Sequence, residues 1–140
     1  MSTLAAKQLS NAHAFLEHLG TPNFDAAAEL LAANCTHELF PGSFPFPGGQ
    51  AKRNKEELLG MLRGPQSMFQ RFKFLPPLDV IQGVDVIVFH VKSDHISKQG
   101  KAFYGEYMLT FRFVGDQIVG IREFCDSQYV TSFFADTRDK

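Results

Sequence analysis

An α+β domain, with helices packed on one face of an antiparallel sheet, is the fold class this sequence predicts. Apolar residues recur at helical spacing in the first half of the chain, whereas β-branched and aromatic residues crowd into strand-length runs after residue 71. At 140 residues the chain has the size of one domain, spanning 1–140. A composition of 44% hydrophobic and 21% charged residues suits a chain that buries a core without disulfide staples.

The first helix has Ser2 or Thr3 as its cap and Leu9, Ala12, Phe15, Leu16 and Leu19 as its stripe, and Gly20-Thr21-Pro22 ends it. Asn23 caps a second helix with Phe24, Ala27, Ala28 and Leu31 on one side. Cys35 to Phe40 turns strand-like. The stretch from Pro41 to Gly49 then breaks regular structure and carries Phe44 and Phe46 between prolines and glycines. Asn54-Lys55-Glu56-Glu57 is a capping-box start for a third helix with Leu58, Leu59 and Leu62 on its apolar side. Gly64-Pro65 interrupts it, and a helical turn with Met68 and Phe69 follows. Strands are expected over 72–75, 78–82, 85–92, 103–114 and 117–126, the last two joined by a tight turn at Gly115-Asp116.

Alternation splits each long strand into two faces. Tyr104, Glu106, Met108, Thr110 and Arg112 share one face, and Tyr107, Leu109, Phe111 and Phe113 share the other. On the last strand Arg122, Phe124 and Asp126 oppose Ile121, Glu123 and Cys125. A three-residue turn sets Tyr104 and Glu106 beside Arg122 and Asp126, and a two-residue turn swaps the partners. The three-residue turn is preferred because it gathers the polar groups on one side, expected to face a pocket. The apolar set (Tyr107, Leu109, Phe111, Phe113, Ile121) is then an outer face that a second copy of the chain would cover.

A formal net charge of -1 offers no footprint for nucleic acid or an anionic membrane surface. No apolar run reaches the roughly 18 residues of a membrane span, and the N-terminus, with Glu17, is unlike a signal peptide, so the cytoplasm is the default compartment. Cys35 and Cys125 are expected to be free and buried. No metal is expected: His13 and His18 do not share a helix face, and Cys35-x-His37 offers two ligands where a closed zinc site needs four. Lys52, Arg53 and Lys55 form a short basic run expected to be solvated. Fifteen phenylalanines exceed what a generic core needs: they fill an unusually aromatic core, line an apolar cavity or cover a partner surface.

Tyr104-Gly105-Glu106-Tyr107 leading into Phe111-Arg112-Phe113, then Gln117-Ile118-Val119 and Ile121-Arg122-Glu123-Phe124-Cys125-Asp126-Ser127, resembles the nuclear transport factor two-like superfamily, in its SnoaL-like, ketosteroid-isomerase-like branch. Cys35-x-His37 with Pro41-x-Ser43, and Arg53-Asn54-Lys55, are similar to small fungal secondary-metabolism members. The resemblance covers nearly the whole chain. It implies a cone: a strongly curved antiparallel sheet wrapped around the N-terminal helices, with a central pocket. It implies a cyclase, dehydratase, isomerase or hydrolase that needs no cofactor, and dimerisation through the outer sheet face. The superfamily's epoxide hydrolases place a second acid and an arginine where this chain has His90 and Lys92, which argues against that activity here.

Carboxyl groups in an apolar pocket are suited to proton transfer near neutral pH, and Glu106 and Asp126 are the expected acid/base pair. Glu106 is equally suited to a structural ion pair with Arg122 or Arg112. Arg122 either orients a carboxylate or holds a substrate carbonyl, and His37 is a candidate base beside the aromatic loop. Tyr104, Phe124, Met108, Phe40, Phe44, Phe46, Met68 and Phe69 are expected to bind the substrate. The expected function is an isomerase, cyclase, dehydratase or rearrangement catalyst for a hydrophobic, oxygenated polyketide- or terpenoid-type metabolite. The alternative is a non-catalytic binding or adaptor protein of the same fold.

Overall fold

Thr3 caps the first helix, α1 (Leu4–Gly20), its Oγ1 accepting from Ala6 N at 3.1 Å. The computed structural model describes residues 3–43, 52–66 and 68–138. Asn23 caps α2 (Phe24–Glu29) in the same way, which leaves Leu31 to open the first strand, β1 (Leu31–Phe40), rather than extend the helix. The strand is four residues longer than the alternation alone marks. β2 (Lys52–Asn54) follows, then α3 (Lys55–Gln66), whose capping box is complete. Asn54 Oδ1 accepts from Glu57 N at 2.9 Å, and Glu57 Oε1 accepts from Asn54 N at 3.0 Å. Gly64-Pro65 does not interrupt α3, which runs on to Gln66.

The remaining strands are β3 (Phe69–Arg71), β4 (Asp79–Gly83), β5 (Val86–Lys92), β6 (His95–Ser97), β7 (Ala102–Phe103), β8 (Glu106–Val114) and β9 (Gln117–Cys125). The segment expected as a strand over 72–75 makes only an isolated bridge, Phe74 to Ser93. A fourth helix, α4 (Ser127–Arg138), ends the described chain. The main sheet is curved and unclosed, in the order β2-β1-β9-β8-β5-β4, and β3, β6 and β7 form a smaller one. The main sheet is mixed, because β1 lies parallel to β9.

The hairpin from β8 to β9 turns on two residues, Gly115 at φ 58° and Asp116, with Val114 opposite Gln117. A bulge at Val119 then shifts the pairing by one, so that Thr110 opposes Arg122 and Leu109 opposes Glu123. The partners are therefore those of a three-residue turn, reached by another route. Gln8, buried on α1, donates from Nε2 to Asp85 Oδ1 and to Gly115 O, both at 2.8 Å, and so ties two hairpin turns to the helix.

The faces are the reverse of those expected. Tyr107, Leu109, Phe111 and Phe113 of β8 are buried against the helices with Ile118 and Ile121 of β9 and Ile87, Phe89 and Val91 of β5. Phe15 of α1 meets Phe111 edge-on at 6.2 Å, and His13 meets Phe89 at 4.8 Å. The stripe expected to form a dimer face is thus the core of one chain, for the ordinary reason that apolar side chains leave water first. Glu106, Met108 and Arg112 look outward.

One buried histidine belongs to this packing. His95 stacks on Phe72 at 3.9 Å and Phe103 at 5.8 Å, meets Phe74 edge-on, and accepts from Lys73 N through Nδ1 at 3.0 Å. Burial pushes its pKa down to about 4, with Asp94 opposing the shift. The folded ring stays neutral where the unfolded one, near 6.5, takes up a proton. Stability from this site is therefore full above pH 6.5 and is lost as the pH falls towards 4, a change of about 3 kcal/mol. Urea unfolding at a series of pH values should show this loss in the native chain. In His95→Phe it should be absent, leaving only a pH-independent offset from the unpaired Lys73 amide.

Candidate active site

The inner face of the main sheet is almost wholly apolar, and the polar groups that interrupt it gather on neighbouring strands. His37 of β1 lies opposite Arg53 of β2 and Ile121 of β9, and Leu39 lies opposite Glu123. One row further, Cys125 pairs with Tyr107 of β8. Arg53, His37, Glu123 and Tyr107 therefore form a diagonal across β2, β1, β9 and β8, on the side that faces the helices.

His37 is 1% exposed, and its Nε2 lies 3.3 Å from Glu123 Oε1. The Glu123 side chain is 26% exposed, so it is only partly buried. Arg53, 8% exposed, is buried rather than solvated as the basic run suggested. Burial pulls its pKa below the usual arginine value, while the charges of Glu123 and Glu57 act to restore it. Tyr107 shares a hydrogen bond with Ser93, and burial, then the charge of Glu123, holds its phenol protonated well above the ordinary range. Cys125 is buried beside them, and its thiol is pushed up to about 11 by burial and by Glu123 and Asp126. Cys35 is also a buried free thiol, raised to about 11 by burial. Two buried nitrogens, His37 Nδ1 and Arg53 Nη1, have no hydrogen-bond partner among the described residues.

Of the residues the sequence nominated, only His37 belongs to this group. Glu106 sits on the outer face with Oε2 2.6 Å from His90 Nε2, a side-chain contact with a partner other than the arginines expected. Asp126 caps α4, its Oδ1 accepting from Tyr129 N at 3.1 Å, so the two carboxylates expected to share one cavity do not. Arg122 lies outside, 3.8 Å from Glu38 and over the Phe40 ring. Phe40 and Phe124 stack on each other on the same outer face, beside Met108. Tyr104 is exposed, its backbone amide donating to the Tyr129 hydroxyl, and Met68 is exposed as well. Phe69 is buried in the core against Phe72, His95 and Phe133. Phe44 and Phe46 lie outside the described residues.

The sequence reading missed Glu123, Arg53 and Tyr107. Glu123 was visible as the single carboxylate between Ile121 and Cys125 on an apolar parity. A separate groove of about 590 Å³ lies between the end of α1 and Phe69 to Phe74, with Glu17, Arg71 and Lys73 on its border. Neither of the two nitrogens without a described partner lines it.

No protein-family model matches the chain, and no curated protein does. Many solved structures do. The pinacolase BvnE from Penicillium brevicompactum superposes with a TM-score of 0.83 at 21% identity, over 98% of each chain. PrhC from Penicillium brasilianum gives 0.80 at 18%, over 93% of this chain and 87% of that one. IdmH from Streptomyces antibioticus, a proposed polyketide cyclase, gives 0.76 at 16%, over 91% and 98%. A nuclear transport factor two-like protein from Anabaena variabilis gives 0.73 at 19%. The chain has the fold of the nuclear transport factor two-like proteins, helices set against one curved sheet, as its motifs implied.

Proposed function

We propose that this protein is a cofactor-independent acid/base catalyst, of the isomerase or lyase type, acting on a hydrophobic oxygenated small molecule of the polyketide or terpenoid kind. One observation carries the reading: a partly exposed carboxylate, Glu123, stands on a mainly apolar face with the His37 imidazole 3.3 Å away. Two of the proteins it resembles, a pinacolase and a proposed polyketide cyclase, support the same class.

Glu123 is the proton carrier in this reading, and His37 positions it. The carboxylate takes a proton from carbon next to a carbonyl, the C–H electron pair becomes the new C=C bond, and the carbonyl π pair moves onto oxygen. Arg53 and the protonated Tyr107 supply donors for that developing charge. Returning the proton at a different carbon isomerises the molecule; expelling a neighbouring hydroxyl as water dehydrates it.

The direct test is deuterium uptake from D2O into a panel of polycyclic ketones, followed by NMR. The native chain should catalyse exchange next to the carbonyl, and Glu123→Gln should lower the rate by about 10²-fold or more with little change in melting temperature. Exchange at the native rate in the variant would remove Glu123 from the role. Melting of the variant without any native exchange would favour a structural or carrier protein.

The reading includes a homodimer through the outer sheet face, built on different residues from those first expected. Phe124, 53% exposed, and Met108, 41% exposed, lie side by side there with the Phe40 ring. Sedimentation should give a dimer at micromolar concentration and a monomer for Phe124→Asp; a native monomer would count against the dimer.

A further inference from the structure

The two unpartnered nitrogens specify more than a hydrophobic ligand. A buried donor or acceptor left unmade is costly, so two without a partner among the described residues, on adjacent strands, mark a place where something else supplies the bonds. Their chemistry differs. Arg53 Nη1 is a donor and nothing else. A carboxylate only accepts, so the His37 Nε2 facing Glu123 carries the hydrogen, and a neutral ring then leaves Nδ1 as an acceptor. The pair therefore presents one donor and one acceptor, on residues directly opposite each other in the β1–β2 ladder. Residues so placed carry their Cβ atoms about 5 Å apart.

Charge narrows the ligand further. The Arg53 cation already lies within the charge influence of two carboxylates, Glu123 and Glu57. A ligand carboxylate would add a third negative group to one positive one, whereas a neutral carbonyl oxygen takes the Nη1 hydrogen without that repulsion. The acceptor on His37 calls for a hydroxyl beside it.

We propose that the inner-face site takes an uncharged, apolar molecule bearing a carbonyl and a hydroxyl on neighbouring carbons. The carbonyl oxygen accepts from Arg53 Nη1, and the hydroxyl donates to His37 Nδ1. The proposal rests on the reading of Glu123 and His37 as the working site. It adds the substrate class to that reading: an α-hydroxy ketone brings the carbon whose proton Glu123 would remove, already oriented by both oxygens.

Benzoin, an apolar α-hydroxy ketone, is the probe, compared with deoxybenzoin, which lacks the hydroxyl, and hydrobenzoin, which lacks the carbonyl. Calorimetry on the full chain should show benzoin binding at least about tenfold more tightly than either analogue, as expected when a buried partner is left unmade. Arg53→Met should erase the advantage over hydrobenzoin, and His37→Phe the advantage over deoxybenzoin. The nitrogen resonance of His37 Nδ1 in the native chain should move on adding benzoin and stay put with deoxybenzoin, a readout that needs no variant to fold. Equal affinities for the three compounds, or no binding of benzoin, would overturn the proposal. Glu123→Gln separates the two ideas. If it stops exchange yet benzoin holds no advantage in the native chain, acid/base chemistry stands and the substrate class falls. An advantage kept in Glu123→Gln, with exchange unaffected, leaves the substrate class standing without the acid/base role.

Discussion

Everything in this structure follows from which face of the long strands meets the helices. Tyr107, Leu109, Phe111, Phe113 and Ile121 are buried on one parity, and Glu106, Thr110, Arg112 and Arg122 stand on the other. Burying one large apolar side chain contributes about 1.5–3 kcal/mol, so turning the sheet over would forfeit on the order of 10 kcal/mol, comparable with a domain's whole stability. It would also strand charged groups among rings. The apolar parity therefore decides the orientation, and every residue that shares it is carried inside whatever its chemistry. That is how Glu123, alternating with Ile121 and Cys125, comes to stand on the inner face, and how His37 joins it from the parallel strand β1.

The same constraint gives the site its character. His37, Glu123 and Tyr107 are held by strands paired on both sides in the ladder and Arg53 by the edge strand β2, and their surroundings raise or lower the ionisation of Arg53, Tyr107 and Cys125 mainly by burial. In the proposed function such groups are arranged before any ligand arrives, the condition under which fixed donors stabilise developing charge most effectively. Outside, His90 contacts Glu106, and Glu38 pairs with Arg122, an exposed ion pair of the kind that contributes little to stability.

Much of the fold was legible because its signals are local. The caps at Thr3, Asn23 and Asn54, the stripe of α1 and the alternation in β5, β8 and β9 can each be seen within a dozen residues. What escaped is non-local or self-cancelling. The parallel pairing of β1 with β9 joins residues more than eighty positions apart, and no sequence period reports it. The bulge at Val119 undoes the parity set by the two-residue turn. α4 was signalled by the Asp126 cap with Tyr129, Val130 and Phe133 at helical spacing, but the same aspartate had been given to chemistry. The faces differ from expectation for a related reason: functional groups suggest a pocket for the polar parity, but the apolar parity has the stronger claim to the interior. Arg53, in a strand of three residues, has no period to reveal its burial.

The central claim is that ligand chemistry belongs to the inner face, around His37, Arg53 and Glu123, and not to the outer face that carries Glu106 and Arg122. Amide chemical-shift mapping during titration with an apolar ketone tests it most directly. The account predicts that the largest shifts fall on β1, β2 and β9 at Leu39, Arg53 and Glu123 and extend to Tyr107, with His90, Glu106 and Glu38 unmoved. Shifts centred on His90, Glu106 and Arg122, with the inner residues silent, would contradict it.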